Sequence, residues 1–302
     1  MRAVRPWAAG ILLALLALLA DGRAHAGPYA IRVMGATSLT ALLSTEAAHY
    51  SRGHPGITVH VTGGGSVAGL YAVALGHVDL GAADLLPAWT RIPAADLETV
   101  RLGCLAVALV VHPGVGVDRV SAASARRLFA GRIASWQELG GADANVVVVI
   151  RAPGSGARAV IGRTLMAGQA YARSAVVQLS NGAVYRTVAT TPGAIGFVEA
   201  GFVRPGVRPL ALDGRRYLGR DWPYQAPVGL YWRRGAAWPV ADFARYAARS
   251  PLRGRYGIRA CPGGSGTGVV HGPENGAGSG VGSHGRRRVG GDAGRLGGLE
   301  RI

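Results

Sequence analysis

Short apolar runs and amphipathic stretches alternate along this chain at a spacing that predicts strand, then helix, several times over. Residues 30–34 are β-prone. Leu39, Leu42, Leu43, Ala47 and Tyr50 then recur at helical spacing until Gly53 and Pro55 close that helix. A strand over 57–61, a helix over 67–75 ended by Gly76, and a strand over 78–82 repeat the pattern. Residues 105–111 and 146–150 are unbroken apolar runs, as expected of strands covered on both faces. Helices are predicted over 124–130, 157–166 and 242–248, with shorter strands over 192–198 and 228–232. Such alternation indicates an α/β class, and one large sheet or two lobes of about 100 residues each fit it equally well.

Three of the strand-to-helix breaks are rich in Gly and Ser: Gly35-Ala36-Thr37-Ser38, Gly63-Gly64-Gly65-Ser66 and Pro153-Gly154-Ser155-Gly156. Ser38, Ser66 and Ser155 each suit an N-cap, which alone explains any one of them. Three such ends meeting at one point would make a socket for a small oxyanion, lined by free backbone N–H groups and serine hydroxyls. Arg151 directly follows the apolar run 146–150 and precedes Ser155 by four residues. There it would offer a planar double donor to the same anion. Asp84 follows the strand over 78–82 and looks out of place, because a carboxylate repels anions. The oddity resolves if the ligand carries a proton, since an ionised carboxylate can only accept a hydrogen bond. A fully deprotonated anion would then be rejected by two facing acceptors with no proton between them.

Other chemistries find less support. Gly63-x-Gly65-x-x-Ala68 imitates a dinucleotide fingerprint, but it leaves the second Gly/Ser turn unexplained. No nucleophile–base pair stands out, the histidines lack ligand spacing, and the absence of lysine removes a phosphate-loop lysine. No catalytic residue, metal or cofactor is therefore expected. The net charge is +17, all of its cations arginine. These arginines are dispersed and not interleaved with aromatic residues, which argues against nucleic acid while still favouring capture of anions.

The ends differ from the middle. Residues 1–26 read as a cleaved export signal: Arg2 and Arg5, an apolar core over 8–20, then Ala24-His25-Ala26. Export from the cytoplasm follows. Residues 262–302 are glycine-rich, lack aromatic residues and show no periodicity, so this tail is expected to be disordered. The two cysteines are Cys104 and Cys261. Export permits a disulfide between them, but Cys104 lies in an apolar run and reads better as a small buried hydrophobe.

In this order, several stretches resemble the periplasmic phosphate-binding proteins of bacterial phosphate ABC transporters and related short phosphate-binding-like domains. They are Gly35-Ala36-Thr37-Ser38-Leu39, HPGITVHVTGGGSVAG (54–69), VDLGAAD (78–84), LFAGRIASWQEL (128–139), RAPGSG (151–156) and PGAIGFVEAG (192–201). The resemblance implies a two-lobed periplasmic binding fold of type II, each lobe a mixed sheet flanked by helices, with the ligand in the cleft. Residues 27–107 and 224–261 would form one lobe and 108–223 the other. It further implies a non-enzymatic, monomeric carrier of inorganic phosphate that serves an inner-membrane ABC permease. The alternative is a module that binds or senses another oxyanion or a phosphorylated metabolite without a transporter. Carried over by position, the phosphate ligands would be Ser38, Leu39, Ser66, Asp84, Arg151, Ser155, Gly156 and Ala157. Two positions depart from the family pattern. Ala157 stands where Thr is common, and Pro153 where some members place an Asp against the arginine.

Overall fold

The computed structural model describes residues 28–262 and the backbone of 269–270. The expected leader and nearly all of the expected disordered tail lie outside the described residues. Strand β1 (Tyr29–Gly35) leads into helix α1 (Thr40–Gly53), then β2 (Ile57–Gly63), α2 (Ser66–Ala74) and β3 (Leu80–Ala83). The long strand β4 (Leu97–Val111) is followed by β5 (Arg119–Val120), α3 (Ala122–Phe129), β6 (Val147–Arg151) and α4 (Gly156–Arg163). Next come β7 (Val176–Gln178), α5 (Asn181–Thr190), β8 (Ala194–Glu199) and the two-residue strands β9 (Arg208–Pro209) and β10 (Ala211–Leu212). Strand β11 (Gln225–Arg233), helix α6 (Trp238–Ala248), β12 (Ile258–Arg259) and β13 (Val269–Val270) close the described chain.

The strands form a curled mixed sheet in the order β2-β1-β3-β11-β4-β8-β6-β7. At one end β1 runs parallel to both β2 and β3; at the other β6 runs parallel to both β8 and β7. Antiparallel β11 and β4 join these two parallel groups. β4 changes partner midway. Leu97 to Ala106 pair with β11, whereas Val107 to Val111 pair with β8. The Val107 amide donates to the Tyr224 carbonyl at 2.8 Å, just before β11 begins.

Side-chain pattern explains these elements. In β1, Ile31 and Val33 alternate with more exposed residues and join the same buried core as Leu39, Leu42 and Leu43 at the start of the next helix. Residues 102–111 of β4 are buried throughout, as an unbroken apolar run requires. The strand nevertheless starts at Leu97, earlier than the apolar run suggests. Glu98, Thr99 and Arg101 there are only partly buried, and β11 supplies backbone partners for this part. Helix α5 was not legible in the pattern. Gly182 and β-branched Val184, Thr187, Val188 and Thr190 make it a weak helix former. It forms because Val184 and Val188, one turn apart, pack on Val149, Ala194 and Val198.

One expectation is overturned. Cys104 and Cys261 form a disulfide, with Cα atoms 5.0 Å apart. The cause is register: β12 pairs antiparallel with β4, placing Arg259 opposite Cys104 and bringing Cys261 alongside. Cys104 is buried, as expected, but it is not free. A small departure concerns the tail, where Val269 and Val270 pair with Val100 and Thr99 of β4. They are the only adjacent β-branched pair in that segment. Among the described residues, no helix is long and apolar enough to cross a membrane.

Candidate functional site

Parallel strands end at a common level, so their following loops meet. Gly35 of β1 pairs with Gly63 of β2 and with Ala82 of β3, which brings three loops together at the C-terminal ends of these strands. Asp84 sits at their centre, 3% exposed. Ser38 Oγ donates to its Oδ2 at 2.7 Å, Ser66 Oγ donates to its Oδ1, and the Asp84 amide donates to Ser66 Oγ at 3.0 Å. Two of the three serines therefore do not cap. The N-cap of α1 is Leu39 and that of α2 is Gly65, neither with a side-chain cap. The Leu39 amide donates to the Ala36 carbonyl at 3.1 Å, closing the turn that holds Ser38. Gly65 is required by its φ of +92°.

A second set of residues comes from the C-terminal ends of β6 and β8. Arg151, 2% exposed, ends β6. Ser155 is a true N-cap of α4, accepting from the Arg158 amide at 3.4 Å. The amides of Gly156 and Ala157 then lie in the first turn, where no preceding helical carbonyl is available to them. The two sets touch. The Val67 amide donates to the Gly154 carbonyl at 3.1 Å, and a β-carbon at Gly156 would collide with the Asp84 carboxylate. Only glycine fits there.

All eight residues expected at the site are buried, in loops that meet, with Ser38, Ser66, Asp84 and Gly156 in direct contact. Three further residues escaped sequence reasoning. Thr37 Oγ1 accepts from Arg151 Nη2 at 3.5 Å and from Asn181 Nδ2 at 3.3 Å; Arg151 Nη2 also reaches the Leu179 carbonyl at 3.2 Å. Asn181 opens α5 and is fully buried, with its Oδ1 unpartnered. Glu199 ends β8 and is also fully buried, with neither carboxyl oxygen hydrogen-bonded. Burial pushes the Glu199 carboxyl well above the ordinary carboxylate range; the nearby Asp84 adds to that push and Arg151 opposes it. A signal for Glu199 was present: an acid closing an otherwise apolar strand. Asn181 had none, because its helix was unrecognised. Among the described residues, no group of three or more His, Cys, Asp or Glu could hold a metal.

A buried acceptor that gathers hydroxyls, beside an arginine and an open helix N-terminus, is a geometry suited to a partly protonated oxyanion. The family model described as a PBP superfamily domain matches residues 22–230. The chain belongs to the PBP superfamily. Within reach of this PBP-superfamily chain by sequence is the phosphate-binding protein PstS of Bacillus subtilis, 29% identical over 205 residues, which are 65% of this chain and 68% of PstS. A candidate phosphate ABC transporter substrate-binding protein from Clostridium perfringens, solved with phosphate bound, superposes with a TM-score of 0.71. It is 21% identical, and the match covers 76% of this chain and 99% of that one. An ABC-type phosphate transport receptor from Vibrio cholerae gives a TM-score of 0.61 at 24% identity, over 76% and 98% of the two chains. The fold is thus that of the periplasmic binding proteins of this superfamily.

Proposed function

We propose that this PBP-superfamily protein captures inorganic phosphate outside the cytoplasm and hands it to an ABC permease. The observation that carries the reading is Asp84: a buried carboxylate, bonded to Ser38 and Ser66, facing the N-terminus of α4. Phosphate bearing a proton can donate to Asp84, while Arg151 and the amides of Gly156 and Ala157 neutralise its other oxygens. Ser38 and Ser66 turn their hydroxyls between Asp84 and the anion, Leu39 holds the first turn, and Ser155 fixes the open end of α4. Kinship with PstS supports the same cargo.

In this reading residues 27–107 and 224–261 move as one lobe and 108–223 as the other. The partner change of β4 at Ala106–Val107, bonded to Tyr224, supplies the two adjoining crossings about which they hinge. The protein acts as a monomeric carrier, without catalysis or cofactor, and residues 1–26 direct its export to the periplasm. Calorimetric titration with phosphate, sulfate, molybdate and arsenate tests this. Phosphate is expected to bind, with sulfate rejected. A response to sulfate or molybdate but not phosphate would refute the cargo.

A further inference from the structure

Asn181 carries a buried amide whose hydrogen bonds do not balance. It opens α5 without capping it, since Ser180 Oγ accepts from the Ala183 amide at 3.1 Å. Packing of α5 is carried by Val184 and Val188, so the amide is not explained by the fold. Its Nδ2 donates to Thr37 Oγ1, which also accepts from Arg151 Nη2. A hydroxyl has two lone pairs and one proton. Both lone pairs are thus taken, and among the described residues no hydrogen bond uses the Thr37 proton. Asn181 Oδ1, meanwhile, is buried and receives no donor. A proton without an acceptor and an acceptor without a proton belong to the same pair of side chains, and a buried amide oxygen left so is costly.

Turning the Asn181 carboxamide over about its Cβ–Cγ bond exchanges oxygen and nitrogen with hardly any change of shape. Arg151 Nη2 then donates to Thr37 Oγ1, and Thr37 Oγ1 donates to Asn181 Oδ1, so every bond in the chain has one donor and one acceptor. Asn181 Nδ2 takes the place that Oδ1 held, with its N–H groups free of Thr37. That place adjoins the anion site, because Thr37 precedes Ser38 in the turn bonded to Asp84 and is itself bonded to Arg151. We propose that Asn181 is a further ligand of the bound anion: the anion draws the carboxamide into this turned state and accepts a hydrogen bond from Nδ2. This rests on the oxyanion reading given above and deepens it. Nδ2 is a neutral donor, so it strengthens capture while leaving the charge to Arg151 and the reading of the anion's proton to Asp84.

The test follows the side-chain amides of the full chain, labelled with nitrogen-15 in its three asparagines, by NMR with and without inorganic phosphate. The Asn181 signal is identified by its absence from Asn181→Ala. On adding phosphate, its Nδ2 protons are expected to move downfield and to gain a coupling to phosphorus across the new hydrogen bond. The Asn181→Ala variant should bind phosphate about tenfold or more weakly, as for a lost hydrogen bond to a charged group. A signal that stays in place, or moves without that coupling, overturns the proposal, because Asn181 would then act only through Thr37. So does an Asn181→Ala variant with unchanged affinity. If that variant does not fold, the wild-type spectra decide alone: one asparagine amide must gain the coupling to phosphorus. A wild type that binds arsenate, sulfate or molybdate but not phosphate refutes the cargo, and the downfield move measured with that anion then judges Asn181 by itself. A wild type that binds none of the four overturns both readings.

Discussion

The two sides of the site use the same local device, a strand, a Gly/Ser turn and a helix, for opposite ends. On the β1–β3 side, Ser38 and Ser66 forgo capping and turn to a carboxylate; among the described residues no cation is bonded to it. On the β6–β8 side, Ser155 caps its helix in the ordinary way, and a buried arginine stands beside it. In the proposed reading one side accepts and so reads protonation, and the other donates and so supplies charge. Similar turns thus do not have identical roles. What differs is the residue at the neighbouring strand end, Asp84 on one side and Arg151 on the other.

Removing the charge of the donor side should have the largest effect. Arg151→Met is expected to cost about 2–5 kcal/mol of phosphate binding, because it removes the buried arginine proposed to face the anion. Calorimetry would show every oxyanion weakened alike. Equal retention of phosphate would break the contrast at once. Next comes the cystine that ties β4 to the residues just after β12. Cys104→Ala with Cys261→Ala should lower unfolding stability by about 2–4 kcal/mol in denaturant titrations. Phosphate affinity should barely move. A large loss of binding would mean that the accepting side depends on the clamp.

The acceptor side should fail differently. Asp84→Asn is expected to weaken phosphate and admit sulfate, shifting their affinity ratio by about tenfold or more, because an amide can donate to a deprotonated oxygen. An unchanged ratio in competition titrations would remove the proton-reading role. The smallest effect distinguishes the serines. Ser155→Ala should cost about 1 kcal/mol of stability as a lost N-cap. Ser38→Ala removes no cap, so its cost should appear in phosphate affinity more than in melting temperature. Equal melting shifts for the two would erase the distinction.

Much of this was legible in the residues. Alternating apolar periods carried the α/β class and the positions of β1, α1, β2 and β6, because these elements lie under one simple burial pattern. The Gly/Ser turns, Asp84 and Arg151 were visible because chemistry demands particular residue types at strand ends. Beyond that, linear reading ran out. Helix α5 is held by packing rather than propensity, and the Cys104–Cys261 bond by a strand register that spans 157 residues. The split between capping and carboxylate-bound serines, and the burial of Glu199 near Asp84, also needed the folded chain. Periodicity and residue type are properties of neighbours in sequence. Which serine meets a buried acid depends on the order of strands in the sheet, which no neighbour in sequence sets.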